Sequence, residues 1–486
     1  MRRALTVIHA LGLMLAVFSL AYLMPILTAL IEGQMAVLQD FLLAMLWTLV
    51  SGILMWMLTR RYKGELSIRH GYLLVVAMWT AMPAVATLPL LLVLPDLSFT
   101  DAYFETMSGL TTTGATVLVG LDTLPSALNI WRHELNWLGG MGIIVLAVAV
   151  LPLLGIGGRQ LFKAETPGPM KDSALTPRIT ETARNLWLVY GGITIACIAA
   201  LKWVGMSWLD AICHAFAVMG LGGFSTHDAS VGYFNSPAIE AVLIVFMLLA
   251  SMNFATHFLA IRAKSLRPYR LDVEGLSTLG LILLSCIAIA GFLWWQGVYP
   301  GFLTALRHAS FNLVSLATDC GFASVDFNQW PIFAPLWMLF LSCIAASSGS
   351  TGGGIKMVRT LVLVKQAGRE FVKLLHPAAI NPMKIGGHVI PNTVVFSVLG
   401  FIFLYFMSVA TLTFTLLISG LDFISAFSAI IACINNAGPG LGVVGPASNF
   451  GVLSDFQTWT CTIAMLIGRL EIFTVLILFT PQFWRR

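Results

Sequence analysis

The sequence predicts an all-α polytopic membrane protein: four span–re-entrant loop–span repeats in a pseudo-fourfold arrangement, plus two extra amino-terminal spans. Three observations carry this. Of 486 residues, 58% are hydrophobic and only 10% are charged, against about 25% charged in a soluble domain. Apolar windows of about 20 residues, the length that crosses a bilayer as a helix, recur from end to end. Four shorter apolar segments end in related glycine turns.

Charge sets the topology. Basic residues cluster at Arg2 and Arg3, at Arg60, Arg61, Lys63 and Arg69, within 159–184, 262–270 and 356–384, and at Arg485 and Arg486. The connections between clusters hold Glu32, Asp96, Asp101, Asp122, Asp228 and Asp326. Basic loops stay cytoplasmic, so both termini are expected inside, and every stretch between clusters crosses out and back. These clusters account for the net charge of +5, and no nucleic-acid partner is expected. The first apolar run, 5–31, is too long for a signal-peptide core and lacks a small-residue cleavage site, so it reads as a retained span. The seven cysteines lie in apolar segments without metal-ligand spacing and read as small buried hydrophobes.

Two spans, 5–31 and 38–58, make an amino-terminal unit over 1–65. The repeats then occupy 66–160, 161–265, 266–385 and 386–486. Each has a full span, an apolar segment of roughly ten residues, and a second span. The short segments read "DAYFETMSGLTTTGAT", "DAICHAFAVMGLGGFS", "HASFNLVSLATDCGFA" and "SAFSAIIACINNAGPG". With Gly114, Gly223, Gly321 and Gly438 in one column, alanine stands twelve residues earlier each time: Ala102, Ala211, Ala309 and Ala426. One place before that stands a polar residue: Asp101, Asp210, His308 or Ser425. This is internal repetition. A segment too short to cross must re-enter, and irregular backbone at membrane depth survives only buried in protein or lining water.

Four re-entrant segments in one chain can surround one axis. A helix stopping midway points its negative dipole end at the membrane centre, which favours a cation. Extended residues beyond it can turn carbonyls inward to replace a hydration shell. Glycine supplies the backbone angles such a turn demands. One glycine per repeat therefore suits a carbonyl-lined cation filter.

The turns "TTTGA", "GGFS", "TDCGFAS" and "NNAGPGLG", with "WLGGMGI", "SSGSTGGGIK" and "GRLEIFTV", carry a resemblance over essentially the whole chain. The sequence resembles the membrane subunits of the Trk/Ktr/HKT superfamily of potassium transporters, the bacterial TrkH/TrkG group in particular. The resemblance implies K⁺ uptake across the bacterial inner membrane through a pore within one subunit, two subunits forming a homodimer among membrane lipid. It implies K⁺ as the transported ion, no cofactor bound by this chain, and no enzymatic activity. It also implies a separate cytosolic NAD- or ATP-binding regulatory ring of the TrkA-like type, for which the basic loops 155–184 and 356–384 are the docking surface. The filter carried over comprises Thr111, Thr112, Thr113 and Gly114; Leu221, Gly222 and Gly223; Thr318, Asp319, Cys320 and Gly321; and Asn435, Asn436, Ala437 and Gly438. Only its glycine column matches the "TVGYG" of tetrameric potassium channels, so Rb⁺ is expected to permeate and strict exclusion of Na⁺ is not.

The stretch "SSGSTGGGIK", 347–356, interrupts the second span of the third repeat. Gly139 and Gly140, Asn253 and Arg469 fall at similar distances past their own filter glycines. The resemblance makes 347–356 an intramembrane gating loop hinged by Gly349, Gly352, Gly353 and Gly354, with Lys356 at its cytoplasmic end. It makes Arg469 an electrostatic gate below the filter; an ion pair with nearby Glu471 is the alternative. Asp319 either ligates the cation or turns behind the filter to bond loop amides. Gly349 and Gly354 have the GxxxxG spacing of a phosphate loop, but Ile355 precedes Lys356 and no strand leads in, which argues against nucleotide binding. His9, His133, His214, His257 and His308 lie on different elements and read as satisfied interior histidines. An alternating-access secondary transporter, for K⁺/H⁺ symport or an organic substrate, is the alternative function. Four same-direction repeats argue against the organic-substrate type.

Overall fold

The computed structural model describes residues 2–62, 68–142 and 179–485. The expected limits at 65/66 and 160/161, and residues 155–178 of the basic loop, lie outside the described residues. The amino-terminal unit comprises α1 (Arg2–Phe18) and α2 (Leu23–Ile31), joined by a 3-10 turn, and α3 (Met35–Leu58). Pro25 falls in the first turn of α2, where its missing N–H forfeits no helical bond. Helices α1 and α3 touch backbone to backbone: a Cβ on Gly12 would stand 2.8 Å from Gly52 O, the close approach small residues allow in membranes.

The first repeat is α4 (Ile68–Val93), α5 (Phe99–Leu110) and α6 (Ser126–Met141). Pro83 and Pro89 interrupt the bonding of α4. Pro89 cannot donate to Val85 O, and the hydroxyl of Tyr22 donates to it instead at 2.9 Å. Trp131 Nε1 donates to the adjacent Ala86 O at 3.1 Å, and the two rings stack at 4.4 Å. Tyr22 thus fastens the extra spans to the first repeat at the carbonyl that Pro89 frees. Tyr22→Phe is expected to lower the unfolding midpoint in detergent, by about 1 kcal/mol in stability, with transport retained.

The second repeat is α7 (Ile179–Trp203), α8 (Trp208–Gly220), α9 (Pro237–Ser251) and α10 (Phe254–Ala263), followed by the short α11 (Arg267–Leu271). The third is α12 (Val273–Trp295), α13 (Phe302–Ala317), α14 (Phe333–Ile344) and α15 (Met357–Leu375), followed by a two-residue antiparallel pair in the connection, β1 (Lys384–Ile385) and β2 (His388–Val389). The fourth is α16 (Asn392–Ile418), α17 (Phe423–Asn435), α18 (Asp455–Arg469) and α19 (Ile472–Leu476). Both amino-terminal spans and the first span of every repeat are long and apolar enough to cross a membrane.

The second spans differ from expectation. A break was expected only in the third repeat, but α9 and α10 bend by 96°, and α18 and the helical stretch after it by 111°. At the first bend Met252 is extended and Asn253 caps α10, its Oδ1 accepting from Ala255 N at 2.8 Å. At the second, Glu471 takes a left-handed φ of 56°. The third is opened by the irregular stretch between α14 and α15.

The polar column has a local cause. Ser98, Ser207 and Asp422 cap α5, α8 and α17, each accepting from the N–H three residues on, at Asp101, Asp210 and Ser425. In the third repeat α13 starts at Phe302 without a side-chain cap, so His308 lies beyond the first turn and stacks on Tyr299 instead. All four column alanines are fully buried.

Candidate functional site: a ring of four glycine turns

The four short helices α5, α8, α13 and α17 end at one place. The glycines Gly114, Gly223, Gly321 and Gly438 line a single cavity. Each has positive φ, at 77°, 62°, 88° and 88°. Two residues earlier Thr112, Leu221, Asp319 and Asn436 are also left-handed, at 55°, 53°, 65° and 58°. The residues between, Thr113, Gly222, Cys320 and Ala437, are not. Alternating hand turns successive carbonyls to the same side, whereas in a β-strand they point alternately to either side.

The turns close on one another. A Cβ on Gly114 would stand 1.9 Å from Gly222 O, and one on Gly223 2.0 Å from Cys320 O. On Gly321 it would meet Ala437 O at 2.5 Å, and on Gly438, Thr113 O at 2.8 Å. Each glycine thus faces the carbonyl that precedes the glycine of the next repeat, and the fourth faces the first. The result is a cyclic ring with an acceptor from every repeat and no room for side chains at the glycines.

Bonds from the short helices brace the ring, again by repeat. Nine residues before their glycines, Glu105 Oε2 accepts from Val117 N and Asn312 Oδ1 from Ser324 N, both at 3.0 Å. Ser428 Oγ, ten before, accepts from Leu441 N at 2.8 Å. In the second repeat His214 Nε2 bonds Ser225 Oγ at 3.0 Å. Glu105 also pairs with Arg132 at 2.8 Å, both side chains buried. Arg132 lies over the Phe224 ring at 4.4 Å and donates to Ser225 O at 3.3 Å, so one buried pair ties the first turn to the second. Glu105, Arg132, Asn312 and Ser428 escaped the sequence reading. The signal was a polar column offset by one place in the fourth repeat.

In the first, third and fourth repeats the residue three before the glycine points its side chain into the scaffold; in the second that residue is Gly220. Thr111 Oγ1 and Thr318 Oγ1 donate back to Met107 O and Val314 O, at 2.7 and 2.8 Å. Asn435 accepts from Tyr405 OH at 2.7 Å and donates to Ser342 Oγ at 2.9 Å. His214 and His257 have both ring nitrogens bonded.

Beneath the ring lies the irregular stretch 345–356. Thr351 Oγ1 donates to Met219 O at 3.1 Å. Phe254 N donates to Gly349 O at 3.1 Å. Glu274 Oε1 accepts from Ser348 N at 2.7 Å and Val358 N at 3.0 Å, spanning both ends of the stretch. A Cβ on Gly353 would stand 1.9 Å from Asn435 O, so glycine lets the stretch press against the end of α17. The carboxylate of Asp319 turns to this stretch, Oδ2 accepting from Gly353 N at 3.0 Å. Lys356, counted with the cytoplasmic basic cluster, is buried at 4% exposure, and its ammonium donates back to Gly352 O.

Arg469 joins three of these parts. Its guanidinium donates to Thr351 O at 2.9 Å, to Gly140 O at 3.0 Å, to Gly139 O, and to Thr112 Oγ1 at 3.2 Å. Glu471 pairs with Arg359 at 2.9 Å. The end of α6 in the first repeat and the second-span breaks of the third and fourth therefore meet at one arginine directly below the ring, and the Asn253 break abuts the same stretch.

Comparison with known proteins agrees with this architecture. A family profile described as "TrkH: Cation transport protein" matches residues 37–287 and 302–486. The chain belongs to the TrkH family. Among family members, the Trk system potassium uptake protein TrkH of Salmonella typhimurium is 45% identical, with 99% of each chain covered. TrkG of Escherichia coli K12, another Trk system potassium uptake protein, is 40% identical over 99% of this chain and 98% of its own. The crystal structure of the potassium transporter TrkH from Vibrio parahaemolyticus superposes with a TM-score of 0.89 at 43% identity, covering 99% of both chains. The chain is a multi-pass membrane protein of this family.

Proposed function

We propose that the chain takes up K⁺ across the bacterial inner membrane through the glycine-turn ring. The observation that carries this reading is the cyclic order in which each glycine faces the next repeat's carbonyl. Four helix C-termini pointing at one ring supply negative potential, and carbonyls spaced around it replace the ion's water. The Trk names and full-length identity of the relatives support K⁺ as the ion.

In this reading the filter comprises 111–114, 221–223, 318–321 and 435–438. Backbone carbonyls ligate the ion, and the side chains of Thr111, Thr318 and Asn435 hold the turns. The 347–356 stretch is the gating loop, hinged at Gly349, Gly352, Gly353 and Gly354, and Arg469 is the charged latch beneath the filter. The repeats follow the limits 66–160, 161–265, 266–385 and 386–486. Both termini are cytoplasmic, two copies pair, and a TrkA-like ring that binds NAD or ATP docks on the basic inner face. The exposure of Lys365, Lys373 and Lys384 within 356–384 supports that face.

The test is ⁸⁶Rb⁺ uptake into vesicles holding the purified protein, driven by an outward K⁺ gradient. Uptake that excess K⁺ abolishes supports the reading. Absence of uptake in vesicles shown to contain inserted, folded protein, with or without a regulatory ring, rejects it.

A further inference from the structure

The residues two before each ring glycine share a backbone shape but not a chemistry. Thr112, Leu221, Asp319 and Asn436 are all left-handed, which for a residue with a Cβ persists only where the surroundings over-determine it. Three of the four reach down to the layer below. Thr112 accepts from Arg469, Asn436 Nδ2 donates to Met465 O at 3.1 Å, and Asp319 accepts from Gly353 N. Asp319 alone is ionisable, and it is fully buried.

The partners of Asp319 are unusual for a filter residue. Oδ2 is held by the gating loop, not by its own turn or by the pore helix. Oδ1 has no hydrogen-bond partner among the described residues. The countercharge is Lys356, three residues beyond Gly353 at the same end of the loop and anchored to Gly352 O. A buried carboxylate stripped of donor and countercharge is costly and must take up a proton or find water or a cation. Withdrawal of the loop removes both.

We propose that Asp319 is the residue through which the position of the gating loop sets ion preference. With the loop in place, its carboxylate is held behind the third filter turn. With the loop withdrawn, it is released beside the permeating ion. A carboxylate oxygen is a stronger-field ligand than a carbonyl, and stronger fields favour the smaller Na⁺ over K⁺. Loop withdrawal therefore lowers K⁺-over-Na⁺ discrimination, and Asp319 is the cause. This rests on the pore reading above.

The experiment is a double-mutant cycle read as the K⁺/Na⁺ permeability ratio from reversal potentials of the full-length protein in bilayers. One axis is loop shortening, deletion of 350–353; the other is Asp319→Asn. Shortening is expected to lower the ratio at least threefold when Asp319 is present, and by less than half that factor in the Asp319→Asn chain. If the shortened chain does not insert, Gly353→Ala replaces it, because the added Cβ meets Asn435 O and displaces the loop. A ratio unchanged by loop displacement overturns the proposal. A ratio that falls equally with and without the Asp319 charge also overturns it. If the parent chain conducts neither Rb⁺ nor Na⁺, the pore reading itself fails; if it conducts and the cycle shows no coupling, only this inference fails.

Discussion

Replacing Gly321 or Gly438 with valine is expected to reduce ion uptake to background while the chain still inserts. Both glycines sit at φ 88°, a region in which a β-branched residue is strained by about 1–3 kcal/mol. Sterics add to this. A Cβ at Gly321 would lie 2.5 Å from Ala437 O, and one at Gly438 2.8 Å from Thr113 O. These contacts involve backbone, not the ends of flexible side chains, so one turn must move away from the next. Because the turns close cyclically, displacing one carbonyl opens the ring at the point where it must match an ion. The effect should be read as ⁸⁶Rb⁺ uptake per inserted protein, and as growth of a potassium-uptake-deficient strain at low K⁺. Growth equal to the parent would remove that position from the filter.

Arg469→Ala is expected to act in the opposite direction and raise flux more than tenfold. A guanidinium about 4 Å from a passing cation, at an effective dielectric of about 20, opposes it by roughly 4 kcal/mol. The same side chain latches the loop through Thr351 O and the first repeat through Gly139 O and Gly140 O. Alanine removes both the repulsion and the latch, and leaves those carbonyls free to face an ion. The competing view, a structural pair with Glu471, predicts loss of folded protein; Glu471 instead holds Arg359. Flux per folded protein separates the two. A normal yield with flux at or below the parent would contradict the latch.

The parts legible in sequence were those each repeat states for itself. The glycine column is set within each segment by backbone angle, and the polar column, in three repeats, by helix capping. What escaped depends on contacts between segments. Glu105 and Arg132 lie on different helices of one repeat, and neither position looks unusual in its own stretch. The bend at Asn253 reads as a continuing apolar helix until Gly349 is seen to accept from Phe254 N. The bend at Glu471 is a left-handed non-glycine residue, which sequence rarely betrays. Lys356 looked cytoplasmic because its neighbours in sequence are basic; its burial follows from the loop folding back under the ring.

The central claim is that the four turns form one cation site. The most direct measurement is anomalous diffraction from crystals of the protein grown or soaked in Rb⁺ or Tl⁺. The account predicts a peak on the ring axis, bounded by the carbonyls of Thr113, Gly222, Cys320 and Ala437, and lost in Gly438→Val. Strong anomalous density elsewhere in the membrane-spanning region, with none among those four carbonyls, would contradict it.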